Sequence, residues 1–413
     1  MKNKKYFLLL FIFLLQTSFS QDVQYTKRSR NEVREGPGSY YDLLKSLPSG
    51  VKVTIQTLQG NWVNIKTPDY TKGWMSKNCL VEKPPKGEPI KELPEEWISP
   101  NVSKTAVAAA IRGFAERFGK SSEGDTLFFS RLAQPTFKYD EYNSFLIATL
   151  KETKQISFDK IGGDGEKFFG EYSYDNSEEG IGAGIASRIA VKGIVNDVQL
   201  EKYINLLGTY ITESSPVNDV RFRFYVLNDA RPVAYSLPGG FIFISKRLIE
   251  VCDNEAELAG ALAHEITHVL LQHGRTAIHE RRLEITMEEQ FDELEKEVGE
   301  KADTSEESLE EFAREAWETV NTPRTLKMEE EADKGGALLL SRCGYDPTAL
   351  VSLIRKIEID ASTFVTTNLE EEHPFAHLNF KQRKEHLQEF LEDELDDVAG
   401  KKFEERYRNF VKK

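Results

Sequence analysis

Three residues near the middle of the chain have the types and the spacing of a hydrolytic metal site. His264, Glu265 and His268 form the pattern HExxH inside an apolar run that predicts a helix. Residues four positions apart on an α-helix are rotated by about 400°, so both imidazoles lie on one face, where they can bind one metal ion. Glu265 lies about 100° further round, so its carboxylate can reach a water held by the metal rather than the metal itself. The pattern therefore predicts metal-assisted hydrolysis.

The surroundings of the motif favour a metal over a purely structural histidine pair. An HExxH pattern also arises by chance, so the motif needs support from its context. The flanking residues 258–270 are mostly apolar, which predicts a buried helix. Two histidines and a glutamate in a buried helix are costly unless they bind a metal or are hydrogen-bonded.

The start of the chain is typical of a secretory signal peptide. Residues 1–20 combine a basic start, an apolar run and small residues before Gln21, where cleavage is expected. The apolar run is too short for a comfortable bilayer span, so we expect export to the periplasm, the cell envelope or the medium, without stable membrane insertion after cleavage. The formal net charge of −14 makes nucleic acid a poor candidate partner.

A small β-rich domain is predicted to follow the signal peptide. Between about residues 23 and 81, short alternating runs are separated by turn residues, as in a small β-barrel. The segments REGP, GNWVNI and KGWM resemble bacterial SH3-like domains, which implies binding of a peptide or cell-wall ligand. At least one of Trp62 and Trp74 is expected to lie in the core.

A β-hairpin is predicted just before the HExxH helix. Residues 181–211 predict two helices, and residues 233–245 predict a hairpin that turns at Pro238 and the two following glycines. We expect residues 241–245 to form an edge strand that binds extended substrates through backbone hydrogen bonds.

A catalytic zinc needs a further protein ligand beyond the two histidines. The sequence MEEEAD at 328–333 opens a predicted helix, and acidic residues are favourable near a helix start. Glu329, Glu330 and Glu331 are all candidates on spacing alone, although successive residues point about 100° apart.

Several motifs in this order resemble the M48 metallopeptidases. They are LPGGFIFIS, AELAGALAHEITHVLLQH, ExxAD and GYDP, and the resemblance runs from about residue 180 to 387. It implies an α+β fold, with a mainly helical zincin-like domain that contains a small β-sheet, and one Zn²⁺ per chain. It also implies that His264 and His268 bind zinc, with Glu265 as the general base. Glu329 becomes the third metal ligand, and Asp333 a partner that orients a ligand histidine.

Near the C-terminus the chain departs from the family pattern. The family element HPxxxxR is stretched, because His373 precedes a proline but lies ten residues before Arg383, whereas His377 has the expected spacing and no proline. The roles of these three residues stay open. Val233 also stands where the family commonly has an asparagine.

Three further features of the sequence have mainly structural interpretations. His273 lies nine residues after His264, about 180° round a continuous helix, so we expect it to be a C-terminal helix residue that interacts with the dipole rather than a ligand. The strongly acidic residues 285–320 predict a solvated helical face or, alternatively, a lid over the site. Three widely separated cysteines predict buried thiols, with at most one bridge.

These observations predict the following domain order: signal peptide (1–20), SH3-like β-barrel domain (21–83), Pro-rich linker (84–100), helical region (101–170), M48-like metallopeptidase domain (171–390) and charged C-terminal helix (391–413). The predicted function is that of an exported zinc endopeptidase acting on extended or misfolded polypeptides. The alternative is a binding or chaperone-like scaffold that uses the SH3-like domain, with proteolysis secondary or absent.

Overall fold

A computed structural model describes the following residues: 22–28, 31–85, 128, 131, 136–156, 168–169, 176–218, 220–274, 276–277, 324–367 and 379–411. The predicted signal peptide, nearly all of the Pro-rich linker, the acidic residues 285–320, His373 and His377 lie outside these residues.

The first part of the chain forms an antiparallel sheet. Its strands are β1 (Val23–Thr26), β2 (Asn31–Arg34), β3 (Leu43–Leu47), β4 (Lys52–Gln59), β5 (Trp62–Lys66), β6 (Lys72–Ser76) and β7 (Leu80–Val81). They lie in the order β3-β2-β6-β5-β4-β1-β7. Val33, Ile65 and Met75 are fully buried between the curled faces, and Trp62 is 4% exposed, which confirms that at least one tryptophan belongs to the core.

The rest of the described chain is mainly helical, with a small second sheet. Its strands are β8 (Arg223–Leu227), β9 (Ala234–Leu237) and β10 (Phe241–Ser245). Its helices are α1 (Tyr139–Leu150), α2 (Asn176–Ala190), α3 (Val198–Ser214), α4 (Lys246–Val251), α5 (Glu255–Leu270), α6 (Leu326–Cys343), α7 (Thr348–Thr367), α8 (Phe380–Glu394) and α9 (Glu404–Val411). The predicted α+β class is confirmed. Among the described residues, no helix has the length and apolar content to cross a membrane.

The predicted hairpin is present, but the expected edge strand is not an edge. Strand β10 pairs in parallel with β8 on one side and antiparallel with β9 on the other. The prediction that residues 241–245 form an edge strand is therefore wrong. The near-continuous apolar sequence FIFIS is that of a central strand buried on both faces, and all five residues are buried. Among the residues that the structure describes, strand β9 lies at the edge of this sheet that is next to helix α5.

Helix α5 forms the centre of the helical part, and every one of its residues is buried. A carboxylate at its start is fully satisfied: Glu255 accepts hydrogen bonds from Tyr203 at 2.7 Å and Tyr345 at 2.6 Å, and it forms an ion pair with Arg406 of α9. A buried charge is tolerated when such partners surround it. The C-terminal helix thus holds one end of α5 in place.

The SH3-like sheet is docked on the helical part through Glu213 near the end of α3. Its carboxylate accepts hydrogen bonds from Ser39 N at 2.7 Å, Ser39 Oγ at 2.6 Å and Trp62 Nε1 at 2.8 Å. The residue as a whole is half-buried, yet its carboxylate is enclosed, and burial raises its pKa despite these donors. Beside it, the ring of Tyr40 packs 4.8 Å from that of Tyr142. These contacts join the two parts of the chain.

The docking contact can be measured by a double-mutant cycle. Trp62→Phe removes the indole donor while keeping an aromatic ring, and a hydrogen bond to a charged group contributes about 1.5–3 kcal/mol to the free energy of unfolding. We expect urea unfolding of Trp62→Phe, Glu213→Ala and the double variant to give a coupling energy of that size. The matched control is Trp74→Phe with Glu213→Ala. A Trp62–Glu213 coupling below about 0.5 kcal/mol, the level of independent sites, would contradict the contact.

Candidate metal centre

Helix α5 places two imidazoles side by side. Asn254 caps the helix, since its Oδ1 accepts a hydrogen bond from the backbone N–H of Glu257 at 3.0 Å. From this fixed start, His264 and His268 lie one turn apart, and their Nε2 atoms are 3.1 Å from each other. Both side chains are buried. The predicted face of the helix is therefore formed, with both Nε2 atoms directed to one point.

Helix α6 brings a carboxylate to the same point. Thr325 caps this helix, and Glu329 lies in its first turn. The two carboxylate oxygens of Glu329 each lie 3.5 Å from one imidazole, Oε2 from Nε2 of His264 and Oε1 from Nε2 of His268. The helices approach closely because Gly336 has no side chain: a Cβ there would lie 3.3 Å from the backbone N of His264.

The geometry of these donors fits a tetrahedral metal ion. Ligand atoms that lie about 2.0–2.1 Å from a tetrahedral zinc are separated from one another by about 3.3–3.4 Å. The two Nε2 atoms are 3.1 Å apart, and each lies 3.5 Å from a different oxygen of Glu329, close to that value. One ligand atom from each of His264, His268 and Glu329 lies within 4.8 Å of the others. Two imidazoles and one carboxylate are also a donor set of catalytic zinc sites.

A buried ion-pair network orients the carboxylates. Arg383 of α8 donates two hydrogen bonds to Asp333, Nε to Oδ2 at 2.8 Å and a terminal nitrogen to Oδ1 at 2.7 Å, and its other terminal nitrogen lies 2.9 Å from Oε2 of Glu329. Asp333 Oδ1 in turn lies 2.8 Å from Nδ1 of His264. Asp333 is thus beside a candidate ligand histidine, as the resemblance implies, and Arg383 connects it to Glu329.

The same network sets the charges of the site. Burial raises the pKa values of Glu329 and Asp333, but the Arg383 guanidinium together with the neighbouring imidazoles outweighs burial and holds both pKa values below their ordinary values. Burial would lower the pKa of His264, but Asp333 and Glu329 raise it to about 9. Burial, with Arg324, holds the pKa of His268 well below its ordinary value. Both carboxylates are therefore anionic near pH 7.

Glu265 is oriented by two residues that the sequence alone does not identify. Ser236 in β9 donates from its hydroxyl to Oε2 of Glu265 at 2.6 Å. Arg324 donates to the Oγ of Ser236 at 3.0 Å and to its carbonyl oxygen at 2.9 Å, and it also lies 3.7 Å from Oε2 of Glu265. Both residues reach the site only through tertiary packing. The one sequence signal is that Ser236 is the polar residue in an otherwise apolar stretch before the Pro-Gly-Gly turn.

The prediction that His273 is a C-terminal residue of the HExxH helix is wrong. Helix α5 ends at Leu270, and Gln272 turns the chain in the left-handed region with a φ of 57°. The ring of His273 therefore packs against helix α5, and its Nδ1 lies 2.8 Å from Nδ1 of His268. Its Nε2 lies 3.3 Å from Glu331. Burial, with Arg324, lowers the pKa of His273 to about 4.

Of the three glutamates in ExxAD, Glu329 is the one that faces the imidazoles. Glu330 forms an ion pair with His386 on α8, and Glu331 lies beside His273. The side chains of Glu330 and Glu331, which spacing alone leaves as candidate ligands, thus contact other residues than His264 and His268. Arg383 is central to the site, whereas the predictions about His373 and His377 lie outside the described residues.

Two segments of the chain match the models of known families. Residues 199–390 match the model of peptidase family M48, a family of metal-dependent peptidases, and residues 32–81 match the model of the bacterial SH3 domain. The M48 match includes both histidines, the glutamates and Arg383.

Three curated relatives resemble the same part of the chain. The β-barrel assembly-enhancing protease of Yersinia pestis is 29% identical over 188 residues, which cover 42% of this chain and 35% of that protein. The protein of the same name from Escherichia coli K12 is 25% identical over 177 residues, 40% of this chain and 34% of that protein. The mitochondrial metalloendopeptidase OMA1 of Schizosaccharomyces pombe is 26% identical over 160 residues, 38% of this chain and 43% of that protein. This chain spans about a third of the length of the first two relatives.

Replacing Arg383 should destabilise the protein far more than replacing a surface residue of the same helix. Arg383→Gln leaves two buried carboxylates without their cation, which costs about 3–5 kcal/mol of unfolding free energy. We expect this loss in urea unfolding with EDTA, and a smaller loss with excess zinc, because a cation then compensates Glu329. The control is Lys381→Gln, whose side chain is 83% exposed. Equal stabilities of the two variants would contradict the assigned network.

Proposed function

We propose that this chain, whose residues 199–390 match the model of peptidase family M48, is an exported, zinc-dependent endopeptidase that hydrolyses peptide bonds in extended or misfolded polypeptides. The observation that carries the proposal is the convergence of two imidazoles and one carboxylate beside a second, separately oriented carboxylate. The first three groups, His264, His268 and Glu329, are the proposed zinc ligands, and Glu265 is the proposed general base.

One zinc ion per chain would be held by these three side chains. When bound, zinc supplies a Lewis acid that lowers the pKa of a water and polarises the scissile carbonyl. Asp333 and Arg383 hold the ligands His264 and Glu329 in their orientations, so little reorganisation accompanies binding. The buried, preorganised ligand set therefore supports a metal that stays with the protein between turnovers.

Glu265 moves the proton in the proposed reaction. Its carboxylate accepts a proton from the attacking water as the water oxygen bonds to the carbonyl carbon. The same proton then passes to the leaving amine as the C–N bond breaks. Ser236 and Arg324 fix the carboxylate through Oε2, which supports a role in which its position relative to the water must be precise.

Strand β9 is the proposed binding edge for substrate. Ser245 N donates to Val233 O at 2.9 Å, so the hydrogen-bonded pairs of the hairpin are Val233, Tyr235 and Leu237 with their partners on β10. The backbone groups of Ala234 and the N–H of Ser236 consequently point away from β10 and could pair with a substrate, whereas the carbonyl oxygen of Ser236, directed the same way, accepts from Arg324 at 2.9 Å. A substrate paired there in extended form would be recognised by its backbone, which supports a loose sequence preference.

Export and the role of the SH3-like domain complete the proposal. The signal-peptide pattern of residues 1–20 supports export to the bacterial periplasm or cell envelope. We propose a peptide or cell-wall ligand for the SH3-like domain, on a face that leaves the hydrogen bond between Trp62 and Glu213 intact. The alternative of a non-catalytic scaffold is less well supported, because a scaffold does not require an oriented carboxylate at Glu265.

The decisive substitution is Glu265→Gln. Glutamine keeps the size of the side chain and can still accept from Ser236, but it cannot take a proton. We expect cleavage of a fluorescently labelled unfolded protein to fall by a factor of about 10²–10⁴, with zinc content unchanged by elemental analysis. Chelation of the wild type should likewise abolish cleavage, and added zinc should restore it.

The matched control is Glu250→Gln, which neutralises an exposed glutamate on the neighbouring helix α4 and should retain wild-type activity. Retention of activity by Glu265→Gln within about tenfold of this control would exclude Glu265 as the general base.

A further inference from the structure

A third buried histidine, His273, contacts the proposed ligand His268 on the side of its ring that faces away from His264 and Glu329. The Nδ1 atoms of His268 and His273 are 2.8 Å apart, their rings meet at an interplanar angle of 71°, and Nε2 of His273 lies 3.3 Å from Oε2 of Glu331. We propose that His273 is a positioning residue that accepts a hydrogen bond from His268 and thereby fixes its tautomer and ring orientation for metal binding. This inference rests on the proposed function.

The hydrogen-bond chain is consistent with only one direction of donation. Nε2 of His268 faces His264 and Glu329 and must offer a lone pair to a metal, so its proton lies on Nδ1. Nδ1 of His273 must then be the acceptor, which leaves the proton of a neutral His273 on Nε2. That nitrogen is the one that faces the carboxylate of Glu331. Each of the three groups thus has a partner of the matching type.

The backbone supports this role by an unusual turn. Gln272 has a φ of 57°, in the left-handed region that residues with a side chain rarely adopt. The turn is secured by hydrogen bonds from Gln272 N to Val269 O at 3.0 Å and from Thr276 N to Gln272 O at 2.9 Å. Because of this turn, the side chain of His273, two residues beyond the helix cap, is buried and only 5% exposed. Such strain is found where a specific side-chain position is needed.

The two candidate ligand histidines therefore have different supporting partners. His264 is supported by the anionic Asp333, which is fixed by Arg383. His268 is supported by the imidazole of His273, which in turn lies beside the carboxylate of Glu331. Since the two nitrogens of His273 face His268 and Glu331, His273 is not a fourth metal ligand. Its effect is predicted to reach the metal only through His268.

The test compares two substitutions of similar size. His273→Asn places an amide oxygen near the position of Nδ1 and retains an acceptor, whereas His273→Leu does not. We expect His273→Leu to weaken zinc affinity by about 10–100-fold in a chelator competition, with His273→Asn within about threefold of the wild type. The visible spectrum of the cobalt-substituted protein should change in the leucine variant and be restored in the asparagine variant. His386→Leu, which removes an exposed histidine that also pairs with a glutamate, should change neither quantity.

The outcomes separate this inference from the proposed function. A wild type that binds no zinc overturns both. Tight zinc binding by the wild type with unchanged affinity and spectrum in His273→Leu overturns the positioning role alone, as does equal weakening by the asparagine and leucine variants.

A measurement on the wild type keeps the inference testable even if the leucine variant does not fold. In the ¹⁵N-labelled zinc-loaded protein, a hydrogen bond between the two imidazoles gives a scalar coupling between the Nδ1 nuclei of His268 and His273. Detection of this coupling supports the inference, and its absence from assigned resonances contradicts it.

Discussion

The buried guanidinium of Arg383 is the interaction on which the rest of the site depends. It lies between two carboxylates, those of Asp333 and Glu329, each of which is at least 93% buried. Without a cation, two buried carboxylates would repel each other and take up protons. With it, both stay ionised, so that one can face a metal and the other can orient His264. The chemistry of the site therefore depends on a residue that is not itself a proposed ligand.

Close packing of helices α5 and α6 converts this charge arrangement into a defined geometry. Gly335 and Gly336 allow α6 to approach α5 at the level of the imidazoles, since a Cβ at Gly335 would lie 2.3 Å from Thr267 and one at Gly336 would meet the backbone of His264. The start of α5 is fixed by Glu255 and its partners from three other segments. Because a buried helix held in this way cannot rotate, the two Nε2 atoms keep the separation that a tetrahedral ion needs.

The sequence predicts the parts of the site that depend on local periodicity. HExxH on a buried helix, the hairpin at Pro-Gly-Gly and an acidic helix start can all be inferred from spacing, and the resemblance to M48 peptidases selects Glu329 among three adjacent glutamates. The positions that sequence misses are those set by chain reversal or by tertiary contact. The position of His273 is not predicted, because the prediction assumes a straight helix and Gln272 reverses the chain. The contact of Arg324 with Ser236 is not predicted either, because the two residues are far apart in the sequence. Strand β10 is different, because its near-continuous apolar sequence already indicates a central strand, and only the identity of its pairing partners is decided by the whole sheet.

Zinc K-edge X-ray absorption on the purified protein, combined with the zinc-to-protein ratio, tests the proposed ligand set most directly. A site formed by His264, His268 and Glu329 gives one zinc per chain with nitrogen and oxygen ligands, two of them imidazoles, and this signal is lost in Glu329→Gln. Sulfur in the first coordination shell would contradict it, since Cys79, Cys252 and Cys343 take no part in the donor group. Full zinc occupancy with an unchanged spectrum in Glu329→Gln would contradict the assigned ligand set.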